Sequence, residues 1–287
     1  ALQPDLVISV TPGPFGLLGL WLARRSGVGF LTAFHTHFEG LVKLYGNTWF
    51  FRLAHWYLEQ VNRILCRNSD SVLVNNPGLN ATVERLGARH VDVMGTPLSR
   101  AFLDTPIVSP TENLRQVLFA GRLAPEKNLP VILDAVKALP DIRFVIAGDG
   151  PLRSGLEREA QSLPNLRLTG WLERDALRAE MDAAGLLILP SHMETFGTVA
   201  LEAMARGRPA LVAANAGIHD WPLLESSLFT LGEGESLAQV LHQLSELPAS
   251  IWQDKAVAAR GAAETLNNQT IDQWLGFVER YARKKPV

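Results

Sequence analysis

A single cysteine, Cys66, occurs in the 287 residues, so no disulfide can form within the chain and no thiolate cluster is available to a metal. Long apolar runs are missing as well. The best candidate, residues 14–23, falls short of the ~18 residues of a membrane span and is broken by glycines. There is no excess of positive charge: 27 Lys and Arg face 29 Asp and Glu, a net charge of −2. That argues against a general nucleic-acid binder, which needs a basic face to neutralise phosphates. The N-terminal stretch has no basic segment ahead of an apolar one and carries Asp5, unlike a secretory signal. Nowhere does Asp-x-Asp occur, so no carboxylate clip for a divalent metal on a diphosphate is visible. The seven histidines lack ligand spacing apart from His35-Thr36-His37, which nothing acidic nearby completes. The expectations are a cytoplasmic protein, no metal and no cofactor.

What is present is the composition of a soluble globular protein, 47% hydrophobic and 20% charged, long enough for two domains. Apolar runs at 6–10, 28–34, 71–74 and 91–94 read as strands, with helical segments at 15–25, 49–66 and 77–86 between them. Residues 98–114 hold Pro106 and Pro110 without a clean period and read as a linker. Six further strands are expected at 116–120, 143–147, 166–169, 186–189, 209–213 and 228–231, with helices between most of them. Three helical stretches, 235–246, 250–266 and 268–284, close the chain. Alternating strands and helices predict an α/β protein with parallel sheets. The expected domains are 1–112, 113–266 and a closing helix at 267–287. The first half shows about four strands against six in the second, and the chain starts at Ala1 rather than methionine. Together these suggest a first domain lacking one or two N-terminal βα units.

The most informative stretch runs Leu189-Pro190-Ser191-His192-Met193-Glu194-Thr195-Phe196-Gly197-Thr198-Val199-Ala200-Leu201-Glu202, closed by Gly207-Arg208-Pro209. It predicts a buried strand, a polar turn and a helix starting near Gly197. First-turn N–H groups have no partner within a helix and favour anionic oxygens, phosphate above all. Glu194 and Glu202 flank that helix start in an E-x7-E spacing, and hydroxyl groups on either side of a diphosphate are their natural partners. A nucleotide sugar has that shape; a surface carboxylate followed by an exposed helical one is the plainer alternative. In open α/β sheets ligands sit beyond the carboxyl ends of the strands. After the strand at 116–120 come Gly121, Arg122, Pro125 and Lys127. The two cations can neutralise a departing diphosphate; alternatively they are solvated loop charges, or one pairs with Glu126. Gly148-Asp149-Gly150-Pro151 follows the next strand, but the dinucleotide fingerprint breaks at Arg153, so it reads first as a backbone turn. Gly170 and Trp171 follow the third strand and can offer backbone groups to a base.

Taken in order, Gly121-Arg122-Leu-Ala-Pro-Glu-Lys127-Asn, Gly148-Asp-Gly-Pro, Thr169-Gly-Trp and Pro190-Ser…Glu194-Thr-Phe196-Gly…Leu-Glu202-Ala-Met-Ala…Gly207-Arg-Pro resemble the retaining glycosyltransferases of family four, the group 1 transferases of GT-B fold. The resemblance implies two Rossmann-like domains facing a cleft, here with a shortened first domain, and a last helix crossing back to that domain. It implies a hexosyltransferase moving a hexose from a nucleoside-diphosphate sugar to an acceptor hydroxyl, the product keeping the α configuration. Arg122 and Lys127 would bind the diphosphate, Glu194 the donor-sugar hydroxyls and Glu202 the ribose. Gly197, Thr198 and Val199 would supply N–H groups, and His35 resembles the first-domain histidine that reaches the reacting centre. Front-face attack, with leaving phosphate oxygen taking the acceptor's proton, needs no protein base. The glycine-rich loop that the family carries early in the first domain is absent here.

Residues 49–58 are the most aromatic stretch. Phe50, Leu53, Tyr57, Val61 and Ile64 make one helical stripe, read as ordinary core. Trp49 and Trp56, near Arg52 and Arg63, make a second that suits a lipid headgroup layer, or else buried packing. The expected partners are thus a nucleotide-sugar donor, a sugar or lipid-linked acceptor and the membrane surface, without nucleic acid. Two other readings use the same residues: a nucleotide-sugar epimerase, against which the continuous E-x7-E block argues, and a non-catalytic nucleotide-sugar-binding fragment. A dehydrogenase is disfavoured by the broken glycine fingerprint.

Overall fold

Ten short apolar runs become ten strands, every pairing parallel, in a computed structural model that describes residues 3–35, 49–107 and 114–282. The chain divides into two compact units. One holds the described residues up to Pro97 and those from Asn267 onward; the other is Leu98–Leu266.

In the first unit, β1 (Leu6–Ser9), β2 (Gly29–Phe34), β3 (Ser71–Val74) and β4 (Val91–Val93) pair in the order β1-β2-β3-β4. All six residues of β2 and all four of β3 are buried, the signature of strands covered on both faces. On one face lie α1 (Pro14–Ser26), α2 (Trp49–Asn68) and α3 (Asn80–Arg85), joined to the sheet through Leu20, Phe30, Val61 and Leu65 and through Phe34, Cys66, Val72 and Val83. On the other, Leu31, Ala33 and Leu73 meet Trp274, Phe277 and Tyr281 of the last helix. Asp92 anchors that helix, accepting hydrogen bonds from Ser71 (2.7 Å) and from the Tyr281 hydroxyl (3.0 Å).

The expected core stripe of α2 is corrected. Val61 is buried, but Leu53, Tyr57 and Ile64 are 53, 41 and 44% exposed. Leu53, Tyr57 and Ile64 point away from the sheet, while Val61, placed in the same stripe, packs with Phe30 against it. The side chain of Phe50 lies outside the described residues, as do Thr36, His37 and Pro110.

In the second unit the strands are β5 (Gln116–Ala120), β6 (Arg143–Ala147), β7 (Leu166–Gly170), β8 (Leu186–Leu189), β9 (Ala210–Ala213) and β10 (Leu228–Leu231). Their order, β10-β9-β8-β5-β6-β7, reverses direction between β5 and β8, the position where open α/β sheets bind ligands. Helix α4 (Arg100–Leu103) precedes these strands; between them run α5 (Leu129–Ala138), α6 (Arg153–Ala160), α7 (Arg174–Ala183), α8 (Thr198–Ala205) and α9 (Pro222–Glu225); α10 (Leu237–Ser245) and α11 (Ala249–Tyr281) follow. Two features differ from expectation. The closing stretches 250–266 and 268–284 are one 33-residue helix through Tyr281. Asn267 and Asn268 are weak helix formers, but Asn267 and Thr270 are 4 and 0% exposed, so tertiary packing overrides propensity there. The stretch 98–107 contains α4 and is fastened to the second unit by arginines. Arg206, 0% exposed, uses all five guanidinium donors: two on Asp182 (2.7 and 3.0 Å) and three on the carbonyls of Phe102, Thr105 and Pro106 (3.1, 2.7 and 2.7 Å). Arg260 adds hydrogen bonds to the carbonyls of Phe102, Leu103 and Ala205. The last carbonyls of α4, which a helix leaves without partners, are met in this way.

Candidate functional site

Three loops at the carboxyl edge of the second sheet are tied to one another by backbone contacts. After β5, Gly121 donates to Ala147 O (3.0 Å) and Leu123 to Asp149 O (2.9 Å); after β6, Gly148 donates to Gly170 O (2.8 Å). Gly148 has φ +146°, and a Cβ there would overlap the Gly121 carbonyl, so the approach of the two loops requires glycine. The glycine-rich turn is therefore structural, as its weak fingerprint suggested, and it brings the ends of β5, β6 and β7 together. Asp149 completes it, accepting from Gly150 N (2.7 Å) and from Arg153 (2.8 Å). Those two hydrogen bonds hold the Asp149 carboxyl below the usual carboxylate range.

Those strand ends and α8 enclose a cavity of about 390 Å³. Gly121, Arg122, Gly148, Asp149, Trp171, Val199 and Glu202 line it, with Leu172 and Leu177 supplying apolar wall. The volume lies at the small end of the range of small-molecule sites. Glu202 projects from the second turn of α8. Burial pushes its carboxyl up to about 7, partly offset by Arg174. Arg122 is exposed over 63% of its side chain and stands 3.8 Å from Glu126, a loose contact that leaves its guanidinium facing solvent. Trp171, 66% exposed, stands at the rim.

Across the reversal between β5 and β8 sits the closest pairing at this edge. Lys127 Nζ donates to Glu194 Oε2 at 2.5 Å, with side chains only 18 and 15% exposed. Asn128 supports it: at φ +53° it is the one non-glycine residue with positive φ among the described residues, and its amide donates to Pro190 O (3.1 Å). His192 N donates to Glu126 O (2.9 Å), joining the two loops a second time. Gly197, at φ +94°, opens α8 without a side-chain cap, and Ala200, Leu201 and Met204 bury the inner face of that helix. Beside the ion pair lies a larger cavity of about 910 Å³, lined in part by Asn128, Ser191, His192, Asn215, Glu233 and Glu235. Ser191 is 1% exposed and its hydroxyl has no partner among the described residues.

Of the anticipated residues, the structure places Gly121, Arg122, Gly148, Trp171, Val199 and Glu202 on one cavity, and Lys127 against Glu194 beside it. Gly150 and Gly170 shape the loops. Phe196 is 2% exposed and packs edge-on against Trp221, centroids 6.1 Å apart, so only its backbone can face a ligand. His35 belongs to the first unit, at the end of β2. Its Nδ1 is buried with no partner among the described residues, and burial lowers its pKa. Sequence reasoning overlooked Asn128, Asn215, Glu233 and Glu235. Asn128 had a readable signal, since asparagine between a turn and a helix is a common left-handed residue; the others acquire meaning only from the strand order.

A family model described as "Glycosyl transferases group 1" matches residues 105–221, and one described as "Glycosyltransferase Family 4" matches residues 1–98. The chain is 26% identical over 232 residues to sulfoquinovosyl transferase SQD2 of Arabidopsis thaliana, covering 76% of this chain and 44% of that protein. It is 29% identical over 245 residues to the GDP-mannose-dependent alpha-(1-6)-phosphatidylinositol dimannoside mannosyltransferase of Mycobacterium tuberculosis, covering 80% of this chain and 62% of that one. It thus spans about half the length of these relatives. Among solved structures, Anabaena Alr3699/HepE in complex with UDP and glucose superposes with a TM-score of 0.72 at 19% identity, covering 95% of this chain and 77% of that chain. At that identity the likeness is one of fold, and it bears out the α/β, GT-B class.

Proposed function

The chain belongs to the group 1 glycosyl transferases, and from that premise we propose that it transfers a hexose, with retention and without a metal, from a nucleoside-diphosphate sugar to an acceptor hydroxyl. The observation that carries the reading is the second unit's carboxyl edge, where a slot with a half-buried carboxylate adjoins a cation–carboxylate pair at the strand reversal.

In this reading the nucleoside enters the smaller cavity, its base against Trp171, Leu172 and Leu177 and its ribose hydroxyls on Glu202. The diphosphate lies over the N-terminus of α8, whose first-turn N–H groups and dipole favour anions. Arg122 and Lys127 supply the remaining positive charge. For this, Lys127 exchanges Glu194 for phosphate oxygen and Glu194 turns to the hexose hydroxyls, so their ion pair holds both side chains at the reacting end. The larger cavity beside the pair gives room for the hexose and the acceptor's hydroxyl. The bond from the anomeric carbon to the diphosphate oxygen breaks as the acceptor oxygen bonds to the same face of that carbon. The acceptor's proton passes to the leaving oxygen, and the product is α-linked.

The acceptor is a sugar or lipid-linked hydroxyl; the mycobacterial relative is named for a phosphatidylinositol dimannoside. No described helix is long and apolar enough to cross a membrane, and we place the protein in the cytoplasm, peripheral to its membrane.

The test is hexose release and transfer from labelled UDP-, GDP- and ADP-hexoses. Lys127→Ala and Glu194→Ala are expected to lower turnover about 100- to 1000-fold while circular dichroism stays unchanged. Wild-type rates in either variant refute the site, and a β-linked product refutes retention.

A further inference from the structure

The first unit carries an apolar surface that its own sheet does not use. On α1, Phe15, Leu18 and Trp21 are 80, 56 and 54% exposed; on α2, Leu53, Trp56 and Tyr57 are 53, 57 and 41% exposed. Within each helix these positions recur at three- and four-residue spacing, so each forms a stripe along one face. The opposite faces are accounted for: Leu20 and Ala23 of α1 and Val61 and Leu65 of α2 meet at Phe30 of the sheet. The two helices also touch each other. A Cβ on Gly16 would crowd Leu65, and the Arg24 guanidinium donates to the side chain of Asn68. Because both bury their inner faces on the same side of one sheet, their outer stripes look in the same direction.

Charge decides what covers this face. The two helices contain Arg24, Arg25, Arg52, Arg63 and Arg67 but only one acid, Glu59, in a chain whose net charge is −2. Glu59 is held by Arg63 at 2.8 Å. Arg25 lies over the Trp21 ring, 5.5 Å from its centroid, so base and aromatic occupy one spot on the surface. An isologous pair of copies would set this cationic face against itself, which like-charge repulsion opposes. An anionic lipid surface complements both features: the headgroups meet the arginines while Trp, Phe and Leu enter the acyl boundary.

We infer that α1 and α2 together form a docking face for an anionic bilayer, on which both helices lie in the plane of the interface. The inference stands on the first unit alone and does not depend on the donor site.

Co-sedimentation of the whole chain with phosphatidylcholine vesicles, with and without phosphatidylglycerol, tests it. Binding is expected only to the anionic vesicles and should weaken with salt. The double variant Leu53→Glu/Trp56→Glu changes exposed positions, so it should keep the wild-type melting curve and lose sedimentation. Arg25→Ala/Arg52→Ala should weaken binding by about fivefold per arginine. Absence of wild-type binding to anionic vesicles, or unchanged binding by the Glu double variant, overturns the inference. A stable dimer in sedimentation velocity that the same variant dissolves, without vesicle binding, would reassign the face to contact between copies.

Discussion

In the proposed donor site, Glu202 confers a pH dependence whose direction can be calculated. Its carboxyl, pushed up to about 7 by burial, is close to half ionised at neutral pH. Two ribose hydroxyls both donate to a carboxylate, so the ionised form is the one that takes the donor. Apparent affinity scales with the competent fraction. With a pKa near 7 that fraction rises about tenfold between pH 6 and pH 8. A diphosphate diester keeps its full charge over this range, so donor titration does not contribute. Isothermal calorimetry with a nucleoside-diphosphate hexose, run at pH 6, 7 and 8, should show the tenfold gain, and Glu202→Gln should flatten it. Stability moves in the opposite direction. Between the unfolded value of 4.5 and the folded value of about 7, the native state binds more protons than the unfolded state, so stability falls as pH rises. The penalty is nearly absent at pH 4 and reaches up to about 3 kcal/mol by pH 8. Urea denaturation should accordingly find Glu202→Gln more stable than the wild type at pH 8 by up to that amount, and nearly equal at pH 4. A wild-type affinity that is flat or falls with pH, or a Gln variant that follows the wild-type profile, would refute the assignment of Glu202 to the ribose.

Gly148→Ala forces a Cβ onto the Gly121 carbonyl in a backbone region that L-residues rarely adopt; a loss of about 3 kcal/mol is expected on thermal unfolding, with loss of nucleotide binding. Arg206→Ala removes its five hydrogen bonds to Asp182 and to residues 102–106 and leaves those from Arg260 to Phe102 and Leu103. Arg178, 3.9 Å from Asp182, still compensates that carboxylate in part; the loss of five hydrogen bonds from a buried guanidinium should lower stability by about 3 kcal/mol in urea denaturation, and an effect below 1 kcal/mol would show that these contacts are not what fastens α4.

The strands were legible because buried parallel strands are short apolar runs between turn residues, and β5, β6, β8 and β10 begin and end where the pattern put them. The E-x7-E block and the Gly121–Lys127 loop were legible as chemistry because they fall at strand ends. Their meeting was not. Lys127 and Glu194 are 67 residues apart, and only the reversal that sets β8 beside β5 makes them neighbours; periodicity carries no strand order. The same limit explains α2. The spacing of Leu53, Tyr57 and Ile64 shows that they share a face, while which face is covered depends on where the sheet lies. The continuity of α11 through Asn267 likewise comes from packing that outweighs a local propensity of a few tenths of a kcal/mol. The buried Glu202 carboxyl could be named from the sequence, but the low-dielectric slot that raises its pKa exists only once β5, β6, β7 and α8 are assembled.

The central claim is that the carboxyl edge of the second unit is a nucleotide-sugar site, and direct calorimetry tests it most sharply. The whole chain should be titrated with UDP-, GDP- and ADP-hexoses and with NAD, each with the wild type and with Lys127→Ala. The account predicts one-to-one binding of at least one nucleoside-diphosphate hexose, weakened at least tenfold by the substitution, and no binding of NAD. Binding of NAD, or no heat from any of the sugar nucleotides, would contradict it.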